Sequence, residues 1–201
     1  MVCALSASLL ARGRSGDLAA QGELLSHCRN YLRVLARTQV DKYLRVRCDE
    51  SDLVQETLVE ALRDFPRFAG NTEQELLAWL RRILVHNLAD QMKHNRAQAR
   101  DWQRQQSLEE MLDRSCLAVQ EALSKGISSP SARASHKEEC LRLADALTSL
   151  PGDYRDVIVM RHLQGLKFEQ IAARMNRSSG AIRMLWTRAI EKLHGELNSK
   201  C

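Results

Sequence analysis

The chain has 201 residues, of which 44% are hydrophobic and only 4% aromatic, and its formal net charge is +5. This length allows one or two domains with modest cores. No run approaches the roughly 18 consecutive apolar residues that cross a bilayer, which argues against membrane insertion. Leu, Ala, Arg and Glu dominate and prolines number only three, so we expect an all-α fold.

The six cysteines include no CxxC pair, so zinc-finger spacing is absent. We expect reduced thiols in a cytoplasmic protein, with no metal and no other cofactor. The apolar run over residues 2–11 follows no positively charged segment, so no signal peptide is expected.

Charge is unevenly distributed along the chain. Residues 49–75 contain eight acidic and two basic side chains, whereas residues 81–104 and 174–200 each contain six basic and two acidic ones. One acidic and two basic surfaces indicate at least two kinds of contact.

Helical spacing of leucines predicts a first helix from about Asp17 to Thr38. A second helix begins at Asp49 to Ser51, where Asp or Ser serves as N-cap, and ends at Pro66. Pro, Gly and Asn predict a loop over residues 66–71. Thr72 and Glu75 then form a capping box, which begins a long helix from Glu73 to about Arg104.

That long helix carries two stripes. The core stripe consists of Leu76, Leu77, Leu80, Ile83, Leu84, Asn87 and Leu88. The second stripe consists of Trp79, Arg82, His86 and Lys93. An aromatic side chain followed by bases suits single-stranded nucleic acid, because bases stack on aromatic rings while cations follow the backbone. Core packing explains Trp79 equally well.

A segment rich in Gly, Ser and Pro near residues 126–131 predicts a flexible tether between two domains. The domains are expected at residues 15–105 and 138–197, with the linker at 106–137. In the second domain we predict helices at His136 to Ser149, Asp153 to Leu163 and Phe168 to Met175, and a last helix capped by Ser178 or Ser179.

The last two helices flank a short turn at Asn176, a residue that tolerates left-handed backbone. Two short helices around such a turn, the second rich in Arg, are typical of a DNA-binding helix-turn-helix. Inward-facing Ile182, Leu185, Ala189 and Leu193 leave outward Arg183, Met184, Thr187 and Arg188, flanked by Arg174, Arg177 and Ser179. A helical hairpin with a solvated basic face is the plain alternative.

The acidic helix that begins near Asp49 presents Asp52, Gln55, Glu56 and Glu60 outside its apolar stripe. Spacing alone favours a solvated face. Paired carboxylates also suit acid–base or metal chemistry, but no nucleophile, phosphate loop or His cluster accompanies them, so an enzyme is not expected.

Two sets of strings resemble a known family. Residues 52–58 (DLVQETL), 65–68 (FPRF) and 79–84 (WLRRIL), with Asn87 and Asp90, resemble region 2 of bacterial extracytoplasmic-function (ECF) sigma factors. Residues 147–158 (LTSLPGDYRDVI), 165–172 (GLKFEQIA) and 180–183 (GAIR) resemble their region 4. The resemblance covers most of residues 15–105 and 138–197.

The resemblance implies a factor that binds RNA polymerase core, directs it to promoter DNA and helps open the −10 element. The implied contacts on core polymerase are its clamp helices and its flap. The residues implied for the clamp helices are Asp52, Gln55, Glu56 and Glu60. An anti-sigma factor is implied as a further candidate partner. The residues implied for −10 DNA are Asn71, Trp79, Arg82, Asn87 and Lys93, and those for −35 DNA are Arg174, Arg177, Ser179, Arg183, Met184, Thr187 and Arg188.

The family commonly has a small polar residue at position 184 and a base at 185, whereas this chain has Met184 and Leu185, followed by Trp186. These departures leave fewer side chains that can hydrogen-bond to bases, although Met184 could pack against the methyl group of thymine. The alternative function is a helix-turn-helix repressor or activator that acts without polymerase core.

Overall fold

The computed structural model describes residues 7–43, 49–95 and 139–199, and the side chains of residues 7–38, 49–91 and 140–199. Within this part of the chain all regular structure is helical, which confirms the all-α fold. The chain divides into two compact units, one holding the helices before residue 96 and the other those after residue 138. The predicted linker at 106–137 lies outside the described residues.

Among its described residues, the first unit contains four α-helices and one short 3-10 turn. They are α1 (Ala7–Arg14), α2 (Leu18–Tyr43), α3 (Glu50–Asp64), the 3-10 turn Phe65–Arg67 and α4 (Glu73–Asn95). The helices pack around a leucine-rich core in which the largest fully buried side chains are Leu24, Leu32, Leu35, Leu53, Phe65, Leu76, Leu80, Leu84 and Leu88.

The predicted helix starts of this unit are confirmed. Asp17 caps α2, because its Oδ1 accepts hydrogen bonds from the backbone of Ala19 (3.0 Å) and Ala20 (3.1 Å). The Asp49 carboxylate accepts from the backbone of Ser51 (2.9 Å). These caps define the residues at which α2 and α3 begin.

Helix α1 was not predicted, and it extends the first unit ahead of the expected domain start at residue 15. Its Leu9 and Leu10 are buried, and Gly13 packs so closely that an added Cβ would lie 3.3 Å from the Phe65 ring. The side-chain amide of Gln21 donates to the Gly13 carbonyl oxygen (2.8 Å). Helix α1 is therefore part of this core.

The second unit contains α5 (Glu139–Ser149), α6 (Gly152–Ile158), a π-helical turn (Val159–Leu163), α7 (Phe168–Met175) and α8 (Ser179–Ser199). The single helix predicted from Asp153 to Leu163 is thus two elements, since the Gln164 N–H donates to the Val159 carbonyl across a wider turn (3.0 Å). The predicted start of α5 at His136 lies outside the described residues.

Gly70 is the glycine that the first unit can least replace. An added Cβ would lie 2.4 Å from the Phe68 ring and 2.8 Å from the Glu75 Cβ. We expect Gly70→Ala to lower the free energy of unfolding by about 1–3 kcal/mol, since overpacking must displace a buried ring. Gly22→Ala is the control, because no atom lies within 4 Å of its added Cβ. Equal urea midpoints for the two variants would contradict the expectation.

Candidate nucleic-acid interface

Helices α7 and α8 are joined by a tight turn that sets the direction of α8. Asn176 has left-handed backbone (φ 52°), as predicted, and the Arg177 N–H donates to the Ala172 carbonyl (3.0 Å). The Ser178 hydroxyl oxygen accepts from the Ala181 N–H (3.2 Å) and so caps α8. The result is a helix-turn-helix whose second helix begins at the surface.

The start of α8 has the predicted inner and outer faces. Ile182, Ala189 and Leu193 are fully buried. The four outward side chains, Arg183, Met184, Thr187 and Arg188, are all exposed, and Met184 is 57% exposed. An α-helix that presents bases and a thioether in this way fits the major groove.

The apolar Met184-Leu185-Trp186 run is divided between the two faces. Leu185 and Trp186 are half-buried, and the Trp186 indole N–H donates to His162 Nε2 (3.1 Å). The Trp186 ring also meets Phe168 edge-on, with centroids 5.9 Å apart. Leu185 and Trp186 are therefore used in packing, and of this run only Met184 is freely exposed.

Three arginines of this surface are paired with neighbouring side chains. Arg183 forms an ion pair with Glu169 (3.4 Å), and Arg177 forms one with Asp153 (2.5 Å). Arg174 donates to the side-chain amide oxygen of Gln164 (3.0 Å). These contacts are solvent-exposed and hence weak, so phosphate oxygens can replace them.

Two further residues complete this surface. Ser179 is half-buried at the start of α8, and its hydroxyl donates to Glu169 Oε1 (3.5 Å). Glu169 has a lowered pKa because of a hydrogen bond with its own backbone and because of Arg183 and Ser179. Arg188 is exposed, and no ion pair is recorded for it among the described residues. It is thus available to an anionic ligand without giving up an ion pair within the described part of the chain.

The acidic helix α3 presents its predicted polar face. Asp52, Gln55 and Glu56 are exposed, while Glu60 is half-buried and pairs with Arg63 (3.5 Å). The Gln91 side-chain amide donates to Glu56 Oε2 (3.0 Å). The same helix exposes two apolar side chains, Val59 at 67% and Leu62 at 44%, so the surface is partly apolar as well as acidic.

The loop between α3 and α4 is held by the predicted capping box. Thr72 Oγ1 accepts from the Glu75 N–H (3.2 Å), and Glu75 Oε2 accepts from the Thr72 N–H (3.0 Å) and the Asn71 N–H (2.8 Å). The hydrogen bonds that the Glu75 carboxylate accepts, first from the Asn71 backbone and then from the Thr72 hydroxyl and backbone, lower the pKa of Glu75, as does the charge of Arg14. The Asn71 side chain remains exposed beside a fixed backbone.

Trp79 is half-buried in an aromatic cluster with Phe65 and Phe68. Its ring centroid lies 5.8 Å from that of Phe65, edge-on, and 5.0 Å from that of Phe68. One part of the ring is therefore used in packing, and the remainder is open to a ligand. Arg82, three residues later on α4, is exposed.

The structure corrects the prediction for Asn87, which is only 6% exposed. Its amide donates to Thr57 Oγ1 (3.4 Å) between α3 and α4. A buried amide that joins two helices is not available to an unstacked base, so Asn87 leaves the predicted DNA-binding set. Its place in the apolar stripe of α4 had already indicated burial. The side chain of Lys93 lies outside the described residues.

Among the described side chains no group of three His, Cys, Asp or Glu residues is arranged to hold a metal ion. Within the same ranges no helix is both long and apolar enough to cross a membrane.

Family comparisons cover both units. The model of "Sigma-70 region 2" matches residues 23–98, and the model of "Sigma-70, region 4" matches residues 140–193. Together they include α3, the capping-box loop and the helix-turn-helix.

Curated relatives span most of the chain. The ECF RNA polymerase sigma-E factor of Haemophilus influenzae is 27% identical over 190 residues, which cover 94% of this chain and 94% of the relative. The ECF RNA polymerase sigma factor SigD of Mycobacterium tuberculosis is 26% identical over 190 residues, covering 94% and 82%. The RNA polymerase sigma-E factor of Streptomyces antibioticus is 28% identical over 194 residues, covering 90% and 89%.

The fold and these matches define a sigma factor of the sigma-70 type, a transcription initiation factor that gives RNA polymerase its promoter specificity. Within that class the chain belongs to the ECF sigma factors. This identity sets aside a helix-turn-helix regulator that acts without polymerase, because such a regulator needs no region 2.

His162 makes the second unit sensitive to pH. Burial, and then the nearby charge of Arg161, lower its pKa from the ordinary 6.5. Below about pH 6.5 the unfolded chain therefore binds a proton at His162 more readily than the folded chain does. The free energy of unfolding, which has its full value above this pH, falls as the pH is lowered. Neutral Nε2 is also the atom that accepts from Trp186.

We expect His162→Gln, which keeps an acceptor but cannot titrate, to reduce the loss of urea stability between pH 7.5 and pH 5.5. His27→Gln, at a half-buried histidine of the other unit, is the matched control. The expectation is wrong if His162→Gln loses as much stability over this range as the unsubstituted chain.

Proposed function

We propose that the three surfaces divide the work of initiation. The acidic face of α3 binds core polymerase, the loop at residues 66–72 and the start of α4 hold an unstacked base of the −10 strand, and the start of α8 reads the −35 duplex. The observation that carries most weight is the outward face of α8, where Arg183, Met184, Thr187 and Arg188 are exposed together. With polymerase as its partner, the chain would act in the cytoplasm.

For α8, groove chemistry supports specific roles. Arg donates a pair of hydrogen bonds to guanine, and a Met side chain packs against a thymine methyl. Arg174 lies in the last turn of α7 and Arg177 at the turn before α8, where phosphate contacts would fix the position of α8. Ser179 at the first turn adds a hydroxyl near the same phosphates. We therefore assign base reading to Arg183, Met184, Thr187 and Arg188, and positioning to Arg174, Arg177 and Ser179.

For the first unit, an aromatic ring beside an exposed amide and an exposed base supports capture of single-stranded DNA. The open part of Trp79 offers a stacking surface, Asn71 offers hydrogen bonds and Arg82 offers charge. Lys93 would extend the cationic track. Unstacking a base costs a few kcal/mol, which these contacts would offset.

For α3, the combination of carboxylates with Val59 and Leu62 supports a protein partner. Interfaces combine apolar area with a charged rim, and the rim steers association. We propose that Asp52, Gln55, Glu56 and Glu60 contact the clamp helices of core polymerase, while the second unit lies at the flap. An anti-sigma factor that covers α3 would block this docking.

Charge reversal on α3 tests the docking. We expect Glu56→Arg to weaken binding to core polymerase at least about tenfold, because a like charge faces the cationic partner that the acidic face selects. Glu23→Arg makes the same change at an exposed site on α2 and is the control. Equal retention of both variants by immobilised core would contradict the assignment.

Alanine substitutions on α8 test −35 reading. Arg188→Ala should weaken promoter binding by the reconstituted holoenzyme by about 1–3 kcal/mol if the side chain contacts a base. Arg183→Ala should cost less, since Arg183 gives up its ion pair with Glu169 on binding, whereas Arg188 has no ion pair with a described residue. Arg12→Ala removes a charge from the other unit as the control. Unchanged occupancy with Arg188→Ala would place the reading face elsewhere.

A further inference from the structure

Helix α1 lies ahead of the residues that match region 2, which begin at residue 23, yet it reaches the loop between α3 and α4. The buried Leu9, Leu10 and Gly13 fix it against the core. Its last residue, Arg14, is consequently held beside Asn71, which lies 57 positions later in the sequence.

The contact between these two side chains has a defined chemistry. Arg14 Nη1 donates a hydrogen bond to Asn71 Oδ1. A guanidinium group has donors only, so the amide atom that faces it must be the oxygen. The Asn71 backbone N–H is fixed independently, because it donates to Glu75 Oε2 (2.8 Å). In this structure Glu75 therefore holds the backbone of Asn71, and Arg14 faces its amide oxygen.

This orientation decides what the loop offers to DNA. With Oδ1 facing Arg14, the Asn71 Nδ2 group is left with N–H donors for a ligand. Asn71 is exposed, so that group is accessible. An amide free to rotate would present its oxygen as readily as its nitrogen and would discriminate poorly between bases.

We propose that Arg14 is a positioning residue that makes Asn71 a hydrogen-bond donor to the unstacked −10 base. The proposal rests on the proposed function of the loop and adds the class of base that it selects. A donor favours a keto oxygen, O4 of thymine or O6 of guanine, over the amino group that adenine and cytosine carry at the corresponding position. Helix α1 thereby takes part in promoter selection through Asn71.

The test is open-complex formation by holoenzyme, reconstituted from the full chain and core polymerase, on templates with each −10 position randomised. The readout is the ratio of keto to amino bases among opened templates, which does not depend on the amount of active protein. The unsubstituted chain should favour keto bases at one position. Asn71→Ala should abolish that preference, and Asn71→Asp, which has only acceptors, should invert it.

Arg14→Ala should reduce the same preference by about three- to tenfold, the range expected for loss of one orienting hydrogen bond. It should have no further effect in combination with Asn71→Ala. Arg12→Ala is the matched control, because Arg12 lies on the same helix but pairs with Asp17 (2.6 Å). The control should leave the preference unchanged.

Two results would overturn the proposal in distinguishable ways. If Asn71→Ala leaves every −10 preference unchanged, the proposed role of the loop fails and the inference fails with it. If Asn71→Ala abolishes the preference but Arg14→Ala leaves it intact, or lowers opening equally on all templates, the loop keeps its role and the positioning by Arg14 is wrong.

Discussion

Burial of Phe65 is the constraint on which the first unit depends. Its ring is fully buried where α3 ends, and it contacts Phe68 with centroids 5.7 Å apart and Trp79 at 5.8 Å. Gly13 of α1 lies against the same ring. One side chain thus joins α1, the 3-10 turn and α4. The loop that contains Asn71 lies between these elements, so its geometry follows from how they pack around Phe65.

The two units use the same division between buried and exposed side chains. In the first, Phe65 and Phe68 anchor Trp79 and leave Asn71 and Arg82 outside. In the second, Phe168 and His162 anchor Trp186 and leave the start of α8 outside. Rigid support with weakly paired surface groups suits recognition, because DNA replaces exposed ion pairs at little cost while the backbone stays in place.

Much of this arrangement could be predicted from the sequence. Caps at Asp49 and Thr72, the left-handed Asn176 and the outward face of α8 all depend on local rules, namely side-chain oxygens near helix starts and helical spacing. The fold class followed from the same spacing. The helix-turn-helix pattern by itself indicated DNA binding by α8. The polymerase role of α3 and the −10 and −35 assignments depended on the family resemblance, and they remain proposals at the level of single residues.

The features that were missed depend on contacts between distant parts of the chain. Helix α1 has only eight residues and contains a glycine, so no periodic pattern identified it. Asn87 lay in the apolar stripe and packs there, although resemblance had assigned it to DNA. Trp186 follows the two residues that depart from the family pattern, and its hydrogen bond to His162, 24 positions earlier, could not be predicted from spacing.

The central claim is that the two units read different parts of one promoter, and start-site mapping tests it most directly. Reconstituted holoenzyme would transcribe genomic DNA fragments, and the mapped starts would be aligned for the unsubstituted chain, Arg188→Ala and Asn71→Ala. The account predicts two sequence blocks at a fixed separation, with Arg188→Ala relaxing only the upstream block and Asn71→Ala only the downstream one. Two results would contradict it: a single variant that relaxes both blocks, or two variants that each leave both blocks unchanged.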